Sequence, residues 1–244
     1  VRLLLLQVRD ADDPMRAQEV ECFRRRLAGI PCQIQPHSLL FDPPLTAAGL
    51  RPFEAVMVGG AGSYSCVDNR QPWFRLACRS LLVVLEARVP LFASCFGVQA
   101  LAVALGGRVA RAPAAELGTY PVHLTEEGRA DPLLGTLPDP FQAHLGHADR
   151  VEELPSGAVR LAFTELCPVQ AFRLEGALVY ATQFHPELTC AENLERLQAY
   201  RHRYGLDDEQ YRLTAARFRE SGDCQGLLAR FMQLVRQGKG SSAG

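Results

Sequence analysis

An α/β fold is predicted: a mostly parallel sheet with helices on both faces, added antiparallel strands and a C-terminal helical appendage. Three features point to it. Short apolar runs alternate with helical stretches through the first half of the chain, the pattern of a parallel sheet covered on both faces. The second half carries short strand-like runs separated by tight turns such as Glu175-Gly176, which read as antiparallel pairs. After His185 the periodicity is helical to the end.

The elements follow in order. Val1–Val8, with LLLL at its centre, is a buried strand. Ala17–Ala28 is a helix that Gly29 ends, and Pro31–Pro36 is a short second strand. Pro43, Pro44 and Gly49 make Phe41–Arg51 mostly loop. Glu54–Val58 is a third strand running into GGAGSYS, and Trp73–Arg88 is a helix with apolar residues at helical spacing. Trp73 and Phe74 are expected to be core or loop anchors. Pro90–Ser94 is a fourth strand, and Phe96–Leu105 is a helix stopped by Gly106-Gly107. Tyr120–Leu124, Phe141–His144, Ala158–Phe163, Val169–Arg173 and Leu178–Gln183 are the later strands. Ala191–Tyr204, Asp207–Ser221 and Gln225–Gln237 are helices. The expected whole is flavodoxin-like. One domain spans 1–204, a helical appendage packed on it spans 205–238, and 239–244 (GKGSSAG lies across this boundary) is a disordered tail.

Composition narrows the classes. The chain has 244 residues, 48% hydrophobic and 22% charged, with a formal net charge of −1. That is ordinary for a globular protein and leaves no electrostatic footprint for nucleic acid. Arg24-Arg25-Arg26 reads as a solvated helix face. No apolar run reaches the roughly 18 residues of a membrane span. The apolar core of VRLLLLQVRD is too short for a secretory signal. The eight cysteines are scattered with no C-x-x-C pair, so neither a disulfide framework nor a cysteine-type zinc site is expected. These features predict a cytoplasmic protein with reduced thiols and no cofactor.

The chemistry centres on PLFASCFGVQALAVALGG, Pro90 to Gly107. It places Cys95 where a strand ends and a helix begins. In such sheets ligands sit beyond the carboxyl ends of the strands, and a helix N-terminus favours a thiolate. Gly97 permits a sharp turn, so the segment has the logic of a nucleophile elbow. A thiol nucleophile needs a base. His185 ends the run LVYATQFHPEL, Pro186 turns the chain, and Glu187 follows to orient the imidazole. Candidate oxyanion donors are the N–H of Phe96 and the glycines of VGGAGS. The spacing His144-x-x-His147-x-Asp149 could suggest a metal site, but it reads better as a strand end and turn.

SCFGVQALAVALGG and ATQFHPEL, with GGAGS before them and AELG between, resemble class I (triad-type) glutamine amidotransferases. DPLLGTLP, H-A-D-R-V-x-x-L-P and the QAFR…VYATQFHPE hairpin extend the resemblance from about Glu54 to Leu188. The nearest group is the stand-alone one similar to the amidotransferase half of GMP synthase. The resemblance implies that Cys95 attacks the side-chain amide of glutamine and forms a γ-glutamyl thioester. It makes His185 the proton carrier and Glu187 its orienting acid. Gly60 and Phe96 become the oxyanion donors by motif position. Gln99 and main-chain groups near Gly62, Ala148 and Asp149 would hold the substrate. It also implies a synthetase or acceptor partner for the ammonia. Three positions depart from the common pattern: Ala93 replaces a glycine before the nucleophile, Val98 a frequent histidine, and Ala61 a proline. The same chemistry would serve a γ-glutamyl hydrolase acting on amines or peptides, and a non-enzymatic regulatory module is the remaining reading.

Overall fold

The computed structural model describes residues 1–67 and 70–241. Nine strands form one sheet in the order β2-β1-β3-β4-β9-β8-β7-β5-β6. The first half of the sheet is parallel: β1 (Arg2–Gln7) lies between β2 (Gln33–Ser38) and β3 (Ala55–Val58), followed by β4 (Leu91–Ser94) and β9 (Val179–Thr182). The rest is antiparallel: β8 (Ala171–Leu174), β7 (Ala158–Phe163), β5 (Arg108–Leu124) and β6 (Phe141–Glu153). The helices are α1 (Met15–Arg26), α2 (Ala47–Leu50), α3 (Pro72–Glu86), α4 (Phe96–Ala104), α5 (Glu126–Ala130), α6 (Cys190–Tyr200), α7 (Asp208–Ala215) and α8 (Leu227–Ser241).

The LLLL run explains the two-sided cover. Side chains alternate across a strand. Leu3 and Leu5 join Phe23 and Leu27 next to Phe231 and Met232 of α8 in one core. Leu4 and Leu6 join Phe74, Leu81 and Val84 of α3 and the buried face of α4 in the other. Each fully buried leucine contributes about 1.5–3 kcal/mol, so neither face of β1 can be left open. Phe74 is core, as expected, and Trp73 packs at its margin, edge-on to Phe74 at a centroid distance of 5.4 Å.

Several elements differ from the sequence reading. Strands expected at 120–124 and 141–144 are the ends of two long ones, β5 and β6. These pair along their length, with a register break between Arg111 and Glu116. Their other halves hold alanines, charges and, in β5, Pro113, so nothing local marks them as strand, and the ladder between them supplies the order. Pro36 lies inside β2 because β2 is an edge strand, where a missing N–H is tolerated. Part of the expected 41–51 loop is the short helix α2, where Thr46 Oγ1 accepts the Gly49 N–H at 3.1 Å. The expected 205–238 appendage divides. The segment with α7 packs through Phe218 and Leu206 against α6, while α8 sits in the core of the sheet. Helix α8 also continues to Ser241, into the stretch 239–244 expected to be disordered. Residues 242–244 lie outside the described residues.

Candidate active site

Cys95 stands between β4 and α4 with φ 52° and ψ −102°. This is a left-handed backbone that side chains other than glycine resist, and such strain collects at functional positions. The surroundings impose it. The Cys95 N–H is held by Thr182 O at 2.8 Å, and Ser94 Oγ donates to Val58 O at 3.3 Å. Gly97 lets the turn close, since a Cβ there would lie 2.9 Å from Ala93 Cβ and 3.0 Å from Val58 Cβ. Ala93, the unusual letter two residues before Cys95, is therefore accommodated by the missing side chain at Gly97. Helix α4 is buried from Phe96 to Ala102, so its N-terminal partial charge acts on the sulfur in a poorly screened setting.

His185 follows β9, its N–H donating to His144 O at 3.0 Å. Nδ1 donates to Glu187 Oε1 at 2.7 Å, which leaves Nε2 for the thiol. Burial opposes charge on this imidazole. The Glu187 carboxylate and the neighbouring Cys95 sulfur, with a hydrogen bond to each, outweigh burial and raise its pKa to about 10. Glu187 is fully buried. Burial opposes its charge too, but the His185 charge and Arg196 hold it below the usual carboxylate range. Arg196 Nη1 lies 3.5 Å from Glu187 Oε1. His144 contributes no second charge: burial and then the positive His185 lower its pKa to about 4. Burial also pushes the Cys22 and Cys167 thiols up to about 12 and that of Cys78 to about 11. Cys22 and Cys167 are buried, as free cysteines commonly are, and Cys78 packs half-buried against the core.

The other expected site residues separate into two sides of Cys95. Gln99, Ala148, Asp149 and Phe96 line a pocket on one side. Gln99 acts there as a brace, its Nε2 donating to Asp149 O at 2.8 Å and to Gln183 Oε1 at 3.0 Å. Gly60 and Gly62 line a second pocket, with Cys95, His185, Asn193 and Tyr200. Gly62 needs its freedom: φ is 53°, and a Cβ would meet Tyr200 Oη at 3.1 Å. Gly60 differs from expectation. Its N–H donates to Glu19 Oε1 at 3.0 Å, so this donor is bound to a carboxylate.

Glu19 belongs to a buried charge network that sequence reasoning did not single out. Arg9 Nη2 lies 2.7 Å from Glu19 Oε1, and Arg196 Nη2 lies 3.6 Å from it. Arg196 thus spans Glu19 and Glu187. A signal was present: Glu19 falls on the buried face of α1 with Met15, Cys22 and Phe23, and a charge on an apolar face requires a partner. Arg203 and Tyr204, which reach both pockets from beyond α6, gave no such signal.

His144 and His147 serve different partners. His144 Nδ1 is 3.1 Å from Thr119 Oγ1. His147 Nε2 is 3.0 Å from Glu116 Oε2, and its Nδ1 donates to Asp149 O at 3.0 Å. Glu116, His147 and Cys167 have ligand atoms within 4.8 Å of one another. However, both Glu116 oxygens already accept bonds, from Thr164 Oγ1 at 2.8 Å and Gln170 Nε2 at 3.0 Å. The cluster fastens the His147–Asp149 stretch, which is not the expected turn but part of β6, laddered to β5.

A family model, glutamine amidotransferase class-I, matches residues 40–206. A glutamine-hydrolyzing GMP synthase subunit from Methanococcus vannielii is 35% identical over 113 residues, 46% of this chain and 58% of that protein. The glutamine-hydrolyzing GMP synthase of Nitratiruptor is 29% identical over 184 residues, 74% of this chain but 34% of that one. The chain therefore spans only part of these curated relatives. Among solved structures, a glutamine amidotransferase from Thermotoga maritima superposes with a TM-score of 0.70 at 22% identity, covering 96% of this chain and 97% of that one. One from Methylobacillus flagellatus gives 0.72 at 21%, covering 95% and 94%. These two share the fold. Among the described residues, no helix is long and apolar enough to cross a membrane. Through the match over residues 40–206, the chain belongs to the class I glutamine amidotransferase family.

Proposed function

We propose that this protein hydrolyses the side-chain amide of glutamine through a γ-glutamyl thioester on Cys95. The observation that carries this reading is the Cys95 elbow beside a His185–Glu187 pair bonded at 2.7 Å. The Cys95 thiolate attacks the amide carbon, and the carbonyl electrons move to oxygen. The Phe96 N–H, at the start of α4, is the donor for that oxyanion. The second donor of the motif, Gly60 N–H, serves only when it exchanges its bond to Glu19. His185, charged at neutral pH, gives its proton to the departing nitrogen, and ammonia leaves as the thioester forms. Neutral His185 then takes a proton from water. The hydroxide adds to the thioester, and glutamate leaves with return of the thiolate–imidazolium pair. Glu187 keeps the imidazole oriented throughout. A synthetase partner for the ammonia fits the same reading.

One observation favours a second reading, a hydrolase of γ-glutamyl amines or peptides. The pocket continues past Cys95 on the side of Gly60, Gly62, Asn193 and Tyr200, where a substituent on the amide nitrogen has room. Glutamate release from glutamine and from γ-glutamyl amines, by wild type and Cys95→Ala, separates the two. Faster turnover of glutamine supports the first. Equal release by wild type and Cys95→Ala overturns both.

A further inference from the structure

The turn after α6 returns the chain to the thiol. The Arg203 N–H bonds Tyr200 O at 2.9 Å, and the Gly205 N–H bonds His202 O at 3.1 Å. Tyr204 and Leu206 then pack with Leu197 and Phe218. Two side chains of this turn face the reaction centre. Tyr204 Oη donates to Gly146 O at 3.2 Å, the same carbonyl that lies 4.0 Å from Cys95 Sγ. Arg203 lines the pocket of Cys95, Phe96, Gln99, Ala148 and Asp149. Its Nη2 donates to Tyr64 O at 2.7 Å. A guanidinium carries five N–H donors. Among the described residues, no carboxylate forms an ion pair with this one.

Across the same pocket lies the opposite charge. Asp149 is 4% exposed. Its Oδ2 accepts from Ser65 Oγ at 2.6 Å. Its Oδ1 is buried without a hydrogen bond and pairs at 3.1 Å with Nη1 of the largely exposed Arg111. The pocket therefore has a cationic wall, an anionic wall and a thiol at its base. An α-amino acid head has complementary charges, and its γ-carbonyl is the atom that Cys95 requires.

We propose that Arg203 is a specificity residue that binds the α-carboxylate of the γ-glutamyl substrate, with Asp149 Oδ1 facing the α-ammonium. This rests on the γ-glutamyl thioester reading and holds for either leaving group. An arginine fork presents parallel donors to a carboxylate. A substrate whose α-carboxyl is amidated or esterified is rejected by the same pocket.

Two reagents test this on the full chain. 6-Diazo-5-oxo-L-norleucine carries the amino-acid head; iodoacetamide alkylates the thiol without it. Cys95 adduct formation is followed by intact mass for wild type, Arg203→Gln and Arg203→Lys. The ratio of the two labelling rates cancels changes in thiol reactivity and in folding. In Arg203→Gln the ratio falls about tenfold or more, the size of a lost charged hydrogen bond at an open site. Arg203→Lys recovers part of it. An unchanged ratio in Arg203→Gln overturns the assignment, because a purely structural tie to Tyr64 would slow both reagents together. If wild type takes iodoacetamide at Cys95 but refuses the diazo-ketone, the γ-glutamyl reading itself fails, and this inference fails with it.

Discussion

Replacing Glu187 by glutamine keeps the shape of the site and removes one charge. His185 sits with Nδ1 2.7 Å from that carboxylate. Its pKa of about 10, against an ordinary 6.5, corresponds to roughly 5 kcal/mol in favour of the imidazolium. Burial works in the other direction, so without Glu187 the imidazole falls to neutrality or below. The raised pKa stabilises the fold fully below about pH 6.5, and this contribution is lost as pH rises through about 10. The Glu187→Gln protein is therefore destabilised most at pH 6 and least above pH 10. Its thiolate–imidazolium pair is depleted at pH 7.5, and glutamine hydrolysis should fall by about 10²–10⁴. The assay is the pH–rate profile of hydrolysis, with a parallel profile of iodoacetamide alkylation. Wild type should lose activity along a basic limb near pH 10, and the variant should show that limb shifted downward by two pH units or more. An identical basic limb in both proteins would refute the electrostatic role given to Glu187.

Gly97→Ala forces a Cβ to 2.9 Å from Ala93 and should cost about 1–3 kcal/mol in urea unfolding; Ala93→Gly in the same chain should restore part of this. Glu19→Ala leaves Arg9 and Arg196 without their shared counter-charge. It should destabilise by about 3–5 kcal/mol, and a loss under 1 kcal/mol in chemical denaturation would contradict the network. Phe231→Ala should cost about 3–5 kcal/mol with a lower melting temperature, because α8 lies in the sheet core rather than in a detachable tail.

Much of the fold was legible because its signals are local. LLLL, EAVMV and LFAS are short apolar runs between helical patterns, and all three are strands of the parallel half. β5 and β6 were half hidden. ARAPAAELG has no strand periodicity, and its order comes from a partner strand some 35 residues away. The C-terminal helices were visible as helices, but not their places. Whether a helix is core or cover depends on which sheet face remains open, and α8 takes the face beside Phe92 and Tyr180.

The candidate site divides in the same way. Cys95, His185 and Glu187 could be named from sequence because a strand end, a helix start and a proline turn are local features. Each sits at the carboxyl end of a strand, where a parallel sheet gathers such groups. What the sequence by itself determined was the position of these three candidate groups in the chain and the sheet that presents them. Only the tertiary structure decided what surrounds them. It assigned the Gly60 N–H to Glu19 and placed Arg196 between two carboxylates. It also carried Arg203 and Tyr204 back over the thiol. Those contacts join residues far apart in the chain. They depend on how helices and turns pack, which no spacing of letters records.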